Sequence, residues 1–317
     1  MVSIKRAINY LLYNRSQFCD SVVKNFLGWL PDKQYLSLRY RCQMGDWIDW
    51  KNPKTFSEKM QWLKVYNRKK AYTTMVDKFA VKKYVAEQVG EDYIIPTLGV
   101  WDEFDEIDWD TLPHEFVLKT THSGGSCGVV ICRDKSKFDK ESAKKKLKSS
   151  LNSDIYCTYR EWPYKNLRKR IIAEKLMTNI ECGETALPDY KFYCFNGEPK
   201  YCQVIRGRHT KETIDFYDIR WQHQDFIGLI PNNQNGTNSN IQNGTTPVSC
   251  PVVLNEMIEI CRKLSIDIPF LRVDLYVIGS SVYFGELTFY PASGFGQFRP
   301  IEWQNTLGDM IKLPKIQ

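Results

Sequence analysis

Two β-strands joined by a turn are predicted by the stretch Arg272-Val-Asp-Leu-Tyr-Val-Ile-Gly-Ser-Ser-Val-Tyr-Phe-Gly-Glu-Leu-Thr288. The expected strands are 272–277 and 281–287, with the Gly279-Ser-Ser segment as the turn between them. Both strands are apolar apart from a few polar side chains at each far end. Those polar side chains are the strongest indication of chemistry in the chain.

The polar side chains of this hairpin form two pairs. Arg272 and Asp274 are two residues apart, as are Glu286 and Thr288, so each pair shares one face of its strand. A carboxylate that points into a core is costly unless it is paired or binds a metal. Adjacent antiparallel strands would bring Asp274 and Glu286 together, in an oxygen-ligand site that suits Mg²⁺ bridging phosphates. The alternative is a structural salt bridge in which Arg272 neutralises both carboxylates.

A glycine-rich loop connects two further predicted strands upstream. Glu115-Phe-Val-Leu-Lys119 and Val129-Val-Ile-Cys132 are the strands, and the loop 122–128, His-Ser-Gly-Gly-Ser-Cys-Gly, joins them in a hairpin. Small residues let backbone N–H groups approach phosphate oxygens closely, and Lys119 adds positive charge. The loop lacks GxxxxGK[ST] and opens no helix, so it is neither a Walker loop nor a Rossmann fingerprint. A plain turn is the alternative.

Two other strands carry polar residues that identify no site alone. The segment Glu174-Lys-Leu176 closes the predicted strand 170–174, where backbone groups together with Lys175 or Glu174 would meet an adenine edge. Asp189 and Lys191 are two residues apart on a predicted strand around 189–196, so they share one face.

The remaining elements mix helices and strands without a regular βαβ order. A helix is expected to begin at Thr55 or Ser57 and another to end at Gly90. Helices are predicted at 75–89, 137–151 and 251–265, short strands at 93–96 and 199–206, and a polar loop at 231–247. This mixture indicates an α+β fold and not a doubly wound sheet.

In their order along the chain, these features resemble the ATP-grasp fold, and more narrowly the TupA-like ATP-grasp family of bacterial polysaccharide loci. The resemblance runs from about residue 30 to residue 312 and includes Lys78 in Val-Asp-Lys. The phrases that carry it are Asn52-Pro-Lys-Thr-Phe-Ser-Glu-Lys-Met-Gln-Trp-Leu63, Asp77-Lys-Phe-Ala-Val-Lys-Lys-Tyr-Val85, Leu112-Pro-His-Glu-Phe-Val-Leu-Lys119, Asp189-Tyr-Lys-Phe-Tyr-Cys-Phe-Asn-Gly197, Arg272-Val-Asp-Leu-Tyr and Phe284-Gly-Glu-Leu-Thr-Phe-Tyr-Pro291.

The resemblance implies an ATP site in which the loop 122–128 closes over the phosphates. Lys78 and Lys119 would contact the phosphates, Lys191 would be a further phosphate contact, and Asp189 would bind the ribose. The residue set implied to bind ATP is Lys78, Lys119, Ser123, Gly124, Gly125, Ser126, Glu174, Lys175, Leu176, Asp189 and Lys191. Within this set, residues 174–176, at the end of the predicted strand 170–174, would frame the adenine ring.

The resemblance also implies a metal and a catalytic residue. Asp274, Glu286 and Thr288 would ligate Mg²⁺, and Arg272 would stabilise the transferring phosphoryl group. Thr288 departs from ATP-grasp enzymes in general, which usually carry Asn two residues after the metal-binding Glu, so the number of metal ions, one or two, stays open.

The resemblance implies three parts of the chain: an N-terminal helical extension (1–74), a small ATP-grasp lobe with the glycine-rich hairpin (75–170) and a C-terminal lobe with the Mg-ATP site (171–317).

Ligases of this fold convert a carboxylate into an acylphosphate that an amine attacks. The implied function is an ATP-dependent carboxylate–amine ligase that attaches an amino acid to a uronic acid or amino acid of a surface polysaccharide. Its partners would be ATP, an acidic sugar or polysaccharide precursor, and an amino-acid amine donor.

Other functions stay open at this point. The protein would be a phosphotransferase if it stopped at phosphoryl transfer, or a glycosyltransferase of a polysaccharide locus if Asp108-Trp-Asp110 were a metal-binding DxD motif. The protein would be a non-catalytic nucleotide-binding partner in a synthase complex if the site at the polar hairpin bound ATP without hydrolysing or transferring its phosphate. The aromatic and basic segment 159–170 would bind an acidic sugar, or else is an ordinary surface segment before a strand.

Composition narrows the partners and the compartment. The net charge of +7 favours an acidic partner. The excess of basic residues is modest, however, and the sequence has no nucleic-acid-recognition motif, so a nucleic-acid partner is not expected. No apolar run approaches a membrane-spanning length, and no secretory signal is evident, which predicts a cytoplasmic protein with reduced thiols. The basic amphipathic pattern in residues 1–30 would either cap the core or rest peripherally on the inner membrane surface.

Overall fold

The computed structural model describes residues 15–125, 127–178, 187–207, 213–231, 244 and 247–316. Helices and strands are numbered here in chain order within those residues. The helices are α1 (Arg15–Phe26), α2 (Asp32–Met44), α3 (Phe56–Tyr66), α4 (Ala71–Val76), α5 (Ala80–Val89), α6 (Lys140–Leu151), α7 (Ile155–Tyr159), α8 (Leu254–Ser265) and α9 (Trp303–Asp309). The strands are β1 (Thr97–Trp101), β2 (Phe116–Thr120), β3 (Val129–Cys132), β4 (Ile171–Lys175), β5 (Asp189–Phe195), β6 (Glu198–Arg206), β7 (Thr213–Asp218), β8 (His223–Gln224), β9 (Ile227–Pro231), β10 (Phe270–Ile278), β11 (Ser281–Thr288) and β12 (Gly296–Arg299).

The first sheet is antiparallel and has the strand order β1-β4-β2-β3. The predicted hairpin is confirmed, because β2 pairs with β3 and Lys119 lies opposite Val129. Helix α6 packs against β2 and β3. Strand β4 pairs with β1 and β2, although the predicted boundary after residue 170 assigned it to the C-terminal lobe. Because β4 is hydrogen-bonded to β1 and β2, the first sheet extends beyond the predicted boundary after residue 170.

The second sheet has the order β11-β10-β5-β6-β7-β8, and each of its pairs is antiparallel. Helix α8 packs on β5, β6 and β10 and buries one side of this sheet. All seven residues of β5 are buried, because the opposite side is also covered. The polar hairpin β10–β11 thus forms one margin of this sheet.

Aromatic side chains fill the layer between the second sheet and helices α3 and α9. The ring of Phe56 on α3 lies 5.0 Å from Phe270 and 5.3 Å from Phe298, edge to face in both pairs. Each fully buried Phe contributes roughly 1.5–3 kcal/mol of hydrophobic stabilisation. A Cβ atom at Gly308 of α9 would overlap the Lys54 carbonyl, so close helix packing requires glycine there.

The start of α3 agrees with its prediction. Thr55 caps the helix: its hydroxyl accepts from the Glu58 backbone N–H, while the Glu58 carboxylate accepts from the Thr55 backbone N–H. This reciprocal pair is a capping box, which satisfies two N-terminal amide groups that would otherwise lack partners. It fixes the direction in which α3 enters the core.

Two predicted elements between residues 75 and 95 are wrong. The single helix 75–89 is broken, because the Asp77 carboxylate accepts from the amides of Phe79 and Ala80 and so competes with the helical pattern. The predicted strand 93–96 is absent: a short 3-10 helix ends at Tyr93, and the strand β1 begins only after Pro96. Gly90 ends the second helix as expected.

The N-terminal helices α1 and α2 pack against each other and enclose Val23, Tyr35 and Leu36 in a small core. Residues 1–14 of the predicted amphipathic segment lie outside the described residues, as does most of the predicted loop 231–247. In the part of the chain that the structure describes, no helix combines the length and apolar character needed to cross a bilayer.

Candidate functional site

The strands β10 and β11 place Asp274 directly opposite Glu286 and Arg272 directly opposite Thr288. The predicted pairing of the two carboxylates is therefore confirmed, whereas their role as metal ligands stays a prediction. On the other side, β5 places Lys191 opposite Asp274. Because paired residues of neighbouring strands point to the same face, three strands present their polar side chains together.

A network of ion pairs joins these side chains. The Arg272 guanidinium contacts both oxygens of Asp274, at 2.6 Å from Nε and 2.7 Å from Nη2. Its Nη2 also lies 3.1 Å from Glu286 Oε1 and 3.0 Å from the Thr288 hydroxyl. The salt bridge considered as a structural alternative is therefore present.

Two lysines extend the network beyond what a structural salt bridge requires. Lys191 Nζ contacts Asp274 Oδ2 and lies 3.9 Å from Asp189 Oδ2. Lys78 Nζ lies 3.5 Å from Glu286 Oε2. Burial alone would raise the pKa of Glu286, but the attraction of Lys78, Lys191 and Arg272 lowers it to about 2. The Glu286 side chain keeps 29% of its exposure, so the network opens to solvent there.

Lys78 connects the two sheets. It lies in the break between α4 and α5, and its backbone N–H donates to the Thr121 carbonyl at 2.9 Å. Its ammonium group contacts the Ser123 carbonyl of the glycine-rich loop and faces Glu286 of the second sheet. Arg170 holds the break from the other side, through an ion pair of 3.2 Å with Asp77. The broken helix thus positions Lys78 between the predicted phosphate loop and the predicted metal ligands.

Lys119 and Glu174 form a second charged group, on the first sheet. Glu174 is buried and accepts from Lys119 at 2.6 Å through one oxygen and from Lys82 at 2.5 Å through the other. Burial would raise the pKa of Glu174, but the two ammonium groups lower it overall. Both carboxylate oxygens therefore contact lysines, and a contact of Glu174 with an adenine amino group stays a prediction.

Adenine framing stays a prediction for the two residues that follow Glu174. Lys175 is exposed and Leu176 is half-buried. The Lys175 backbone N–H donates to the Pro96 carbonyl at 3.0 Å, which fixes the end of β4 against the chain entering β1.

The glycine-rich loop is buried at both ends and exposed in its middle. Ser123 is buried, whereas Gly124 and Gly125 are exposed, and Gly125 has a φ of 60°. A Cβ atom at Gly128 would overlap the hydroxyls of Thr120, Ser123 and Ser150. Glycine at that position lets the loop return close to β2. Ser126, which was predicted to contact ATP, lies outside the described residues.

His122 anchors the base of this loop. Its Nε2 atom lies 3.0 Å from the Ser150 carbonyl, which can only accept, so Nε2 carries the hydrogen in the neutral ring. Burial lowers the pKa of His122 to about 4, against a smaller raising effect of the Ser150 carbonyl. The ring is therefore neutral at neutral pH.

We expect His122 to make the protein less stable in mild acid. The unfolded chain takes up a proton near pH 6.5, whereas the folded chain does so only near pH 4, so the free energy of unfolding falls by up to about 3 kcal/mol across that window. Urea unfolding at several pH values measures this. His122→Gln should remove that part of the slope, and His114→Gln, whose side chain is 66% exposed, should not. Equal slopes in all three proteins would contradict the assignment.

Three residues of this region were missed from sequence. Lys82 lies one helical turn after Lys78, and that spacing could have indicated it. Tyr276 continues the period-two pattern of Arg272 and Asp274, and its pKa is raised by burial and by a hydrogen bond with Asp189. Tyr164 had no local signal; burial raises its pKa, as do Glu161 and Glu286 nearby.

The residues at β10–β11 fit a magnesium ion that is held partly by phosphates. They offer two carboxylates and one hydroxyl, an oxygen-only donor set, and Mg²⁺ typically takes one or two carboxylates with the rest of its ligands from substrate and water. Among the described residues, no group of three or more His, Cys, Asp or Glu side chains could hold a metal unaided. Coordination by Asp274 would require Arg272 or Lys191 to release an oxygen.

Comparison with known proteins gives one match at the level of families. A family model described as TupA-like ATPgrasp matches residues 58–312, which include both sheets and every residue of the charged network. No curated protein sequence matches the chain.

Solved structures give distant likenesses. D-alanine–D-alanine ligase from Bacillus anthracis is 16% identical, with 75% of this chain and 66% of that chain covered and a TM-score of 0.40. The corresponding ligase from Helicobacter pylori is 16% identical, with 81% and 69% covered and a TM-score of 0.39. A RimK domain protein ATP-grasp from Sphaerobacter thermophilus DSM 20745 is 11% identical, with 78% and 70% covered and a TM-score of 0.39. The chain spans just under two thirds of the length of the B. anthracis enzyme.

Proposed function

The chain belongs to the TupA-like ATP-grasp family, and from that premise we propose that it is an ATP-dependent carboxylate–amine ligase. Its fold is the ligase-like ATP-grasp fold, which binds ATP. The proposed reaction joins an amino acid, through its amine, to a uronic acid or amino acid of a surface polysaccharide precursor. ATP, the acidic acceptor and the amine donor are its proposed partners, and the cytoplasm is its proposed compartment.

One observation carries the proposal: the charged network on β10, β11 and β5. Arg272, Lys78 and Lys191 supply three positive charges around Asp274 and Glu286. The triphosphate of a nucleotide can pair with the three cations, while a metal ion binds the two carboxylates. Phosphoryl transfer is catalysed mainly by such positioning and charge neutralisation, with little covalent chemistry by the protein. A purely structural cluster would not need a partly exposed Glu286.

The proposed steps conserve atoms and charge. An acceptor carboxylate oxygen attacks the γ-phosphorus of ATP, and the bond from that phosphorus to the β,γ-bridging oxygen breaks. ADP is the leaving group, and the acceptor becomes an acylphosphate. The amine nitrogen then attacks the acyl carbon, inorganic phosphate leaves with the former carboxylate oxygen, and the amine loses a proton. Arg272 and Lys191 hold the charge that develops on the transferring group, and Lys78 holds the loop over it. Asp274, Glu286 and Thr288 would hold Mg²⁺, which would supply positive charge that offsets the charge of the phosphates.

Product analysis tests the proposal. The protein is incubated with ATP, Mg²⁺, a mixture of amino acids and a mixture of uronic-acid glycans. We expect ADP, inorganic phosphate and a product whose mass is the sum of acceptor and amino acid minus water. ADP with a phosphorylated acceptor would instead establish a phosphotransferase. If ATP stayed unchanged under every condition, ATP-dependent turnover would be refuted and the alternative of a glycosyltransferase would be favoured.

Replacement of Lys119 with Ala is expected to weaken nucleotide binding. The ammonium group lies on β2 beside the glycine-rich loop, and a hydrogen bond to a charged group contributes about 1.5–3 kcal/mol, so the Kd for ATP should rise about tenfold or more. Glu174 keeps its contact with Lys82, which limits the effect on folding. Calorimetric titration measures the Kd. Lys83→Ala, whose side chain is 86% exposed on α5, is the matched control; an equal effect in both variants would contradict the assignment.

A further inference from the structure

Three exposed aromatic side chains lie near the N-terminus, ahead of the matched family region. Phe18, Phe26 and Trp29 keep 40%, 72% and 77% of their exposure. The family model begins only at residue 58, so the part of the chain that carries the ATP-grasp similarity does not include them. Large apolar side chains that stay exposed as a group mark a contact surface for a protein or a membrane.

Helix α1 has apolar side chains on two sides. Among its twelve residues, all of them described, only Val23 is buried, and it packs into the small core that α1 shares with α2. Phe18, Val22 and Phe26 are spaced four residues apart, so they form one stripe along the helix. Val22, in the middle of the stripe, lies about 100° around the helix axis from Val23. The stripe therefore points away from the core that α1 packs against.

The turn after α1 shows the same division. Leu27 and Leu30 pack against the small core, whereas Trp29 between them is exposed. The turn is ordered by two backbone hydrogen bonds, from the Leu27 N–H to the Val23 carbonyl at 3.0 Å and from the Leu30 N–H to the Leu27 carbonyl at 3.1 Å. Trp29 thus adds a second large ring three residues after Phe26. The stripe together with Trp29 is called the aromatic surface below.

The charge exposed around this surface is positive. The exposed basic residues within 15–54 are Arg15, Lys24, Lys33, Arg41, Lys51 and Lys54. The exposed acidic residues of the same range are Asp46 and Asp49, whereas Asp20 and Asp32 are half-buried and form ion pairs with arginines. Basic residues therefore outnumber acidic ones at the surface of this region by six to two.

Exposed Phe and Trp rings together with basic side chains suit an anionic lipid surface. Aromatic rings enter the boundary between lipid headgroups and acyl chains, and Arg and Lys are attracted to anionic headgroups. A second copy of the chain fits less well. A two-fold contact through the aromatic surface would bring the same basic residues of both copies together, and their charges would repel each other.

We infer that α1 and the turn after it bind peripherally to an anionic lipid bilayer through the aromatic surface. The sequence left open whether the N-terminal amphipathic pattern caps the core or rests on a membrane. Helix α1 does both, because Val23 packs into the core while the stripe faces lipid. Outside the described residues, the sequence places Ile4, Ile8 and Leu11 three or four residues apart, with Leu11 seven residues before Phe18. The inference goes beyond the proposed ligase function and does not depend on it.

Co-sedimentation of the full chain with lipid vesicles, in the absence of ATP, tests the inference. At low ionic strength we expect at least about tenfold stronger binding to vesicles of phosphatidylcholine with phosphatidylglycerol than to vesicles of phosphatidylcholine alone, and weaker binding as salt is added. Phe26→Ser combined with Trp29→Ser should weaken binding to the mixed vesicles about tenfold or more. Ile266→Ser combined with Ile301→Ser, two exposed apolar side chains outside the aromatic surface, is the matched control and should leave binding unchanged.

A charge reversal tests the electrostatic part. Arg15→Glu should weaken binding to the mixed vesicles about fivefold or more, whereas Lys83→Glu, on exposed α5 surface, should not. Absent binding, equal binding to both kinds of vesicle, or equal weakening by a variant and its control would overturn the inference. A dimer in sedimentation velocity that Phe26→Ser with Trp29→Ser dissociates would also overturn it, because a second copy would then cover the aromatic surface.

The inference and the proposed function fail separately. Glu286→Gln should lose Mg-ATP turnover and bind the mixed vesicles as the wild type does, because vesicle binding uses no residue of the charged network. Absent vesicle binding with intact turnover therefore refutes the membrane surface alone. Absent turnover with intact vesicle binding refutes the proposed function alone.

Discussion

Replacement of Glu286 with Gln, or of Asp274 with Asn, is expected to lower Mg-ATP turnover by more than about 100-fold. Loss of residues that merely orient metal ligands costs about 10–100-fold, and loss of a ligand's charge should exceed that. Either change leaves the three cations of the network with one carboxylate fewer and removes a negative donor for Mg²⁺. ADP release at saturating ATP measures the effect.

The two variants differ in their expected cost to folding. Removing one partner of a buried ion pair destabilises a protein by about 3–5 kcal/mol, and Asp274 is buried against Arg272 and Lys191. Glu286 is partly exposed, so Glu286→Gln should retain more stability and is the cleaner test. Glu198→Gln, an exposed carboxylate on β6 of the same sheet, is the matched control. Wild-type ADP release by a folded Glu286→Gln variant would refute the metal assignment.

Replacement of Arg272 with Lys is expected to lower turnover about a thousandfold or more, with a much smaller effect on the Kd for ATP. An arginine that stabilises the transition state of phosphoryl transfer contributes about 10³–10⁵ in rate. Lysine keeps the charge but loses the planar fork that contacts Asp274, Glu286 and Thr288 at once. Single-turnover ADP formation separates the chemical step from binding.

Arg262→Lys is the matched control for Arg272→Lys. Arg262 lies on α8, forms ion pairs with Glu198 and Glu259, and keeps 40% of its side-chain exposure. Because surface ion pairs contribute little, this change should alter neither turnover nor stability measurably. A parallel loss of ATP binding and rate in Arg272→Lys would indicate a purely structural salt bridge, which is the competing interpretation of the network.

The hairpin β10–β11 was predictable because its information is local. Period-two spacing assigned Arg272 and Asp274 to one face. The two-residue turn sets the register beside it, with Ile278 opposite Ser281, and a register shift between Asp274 and Leu275 then places Asp274 opposite Glu286. The capping box at Thr55 is equally local. The spacing and the cap both depend on residues that are close in sequence, so the sequence displays them directly.

Features that depend on distant partners were not predictable. The break at Asp77 combines side-chain capping of the Phe79 and Ala80 amides, which is local, with the hydrogen bond from the Lys78 backbone to Thr121, whose partner is remote in sequence. The ion pairs of Glu174 were not predicted, because its two lysines come from a helix and a strand that are distant in sequence. Lys64, fully buried on a helix that looks amphipathic, is stabilised by carbonyls at Tyr159 and Ser293.

The fate of one oxygen atom tests the central claim most directly. Glucuronic acid with heavy oxygen in its carboxylate is incubated with the protein, ATP, Mg²⁺ and the amino-acid mixture, and the inorganic phosphate is analysed by mass spectrometry. A ligase that acts through an acylphosphate transfers one labelled oxygen to phosphate for each amide formed. ADP formed with unlabelled phosphate, or with the label retained in a phosphorylated sugar, would contradict the account.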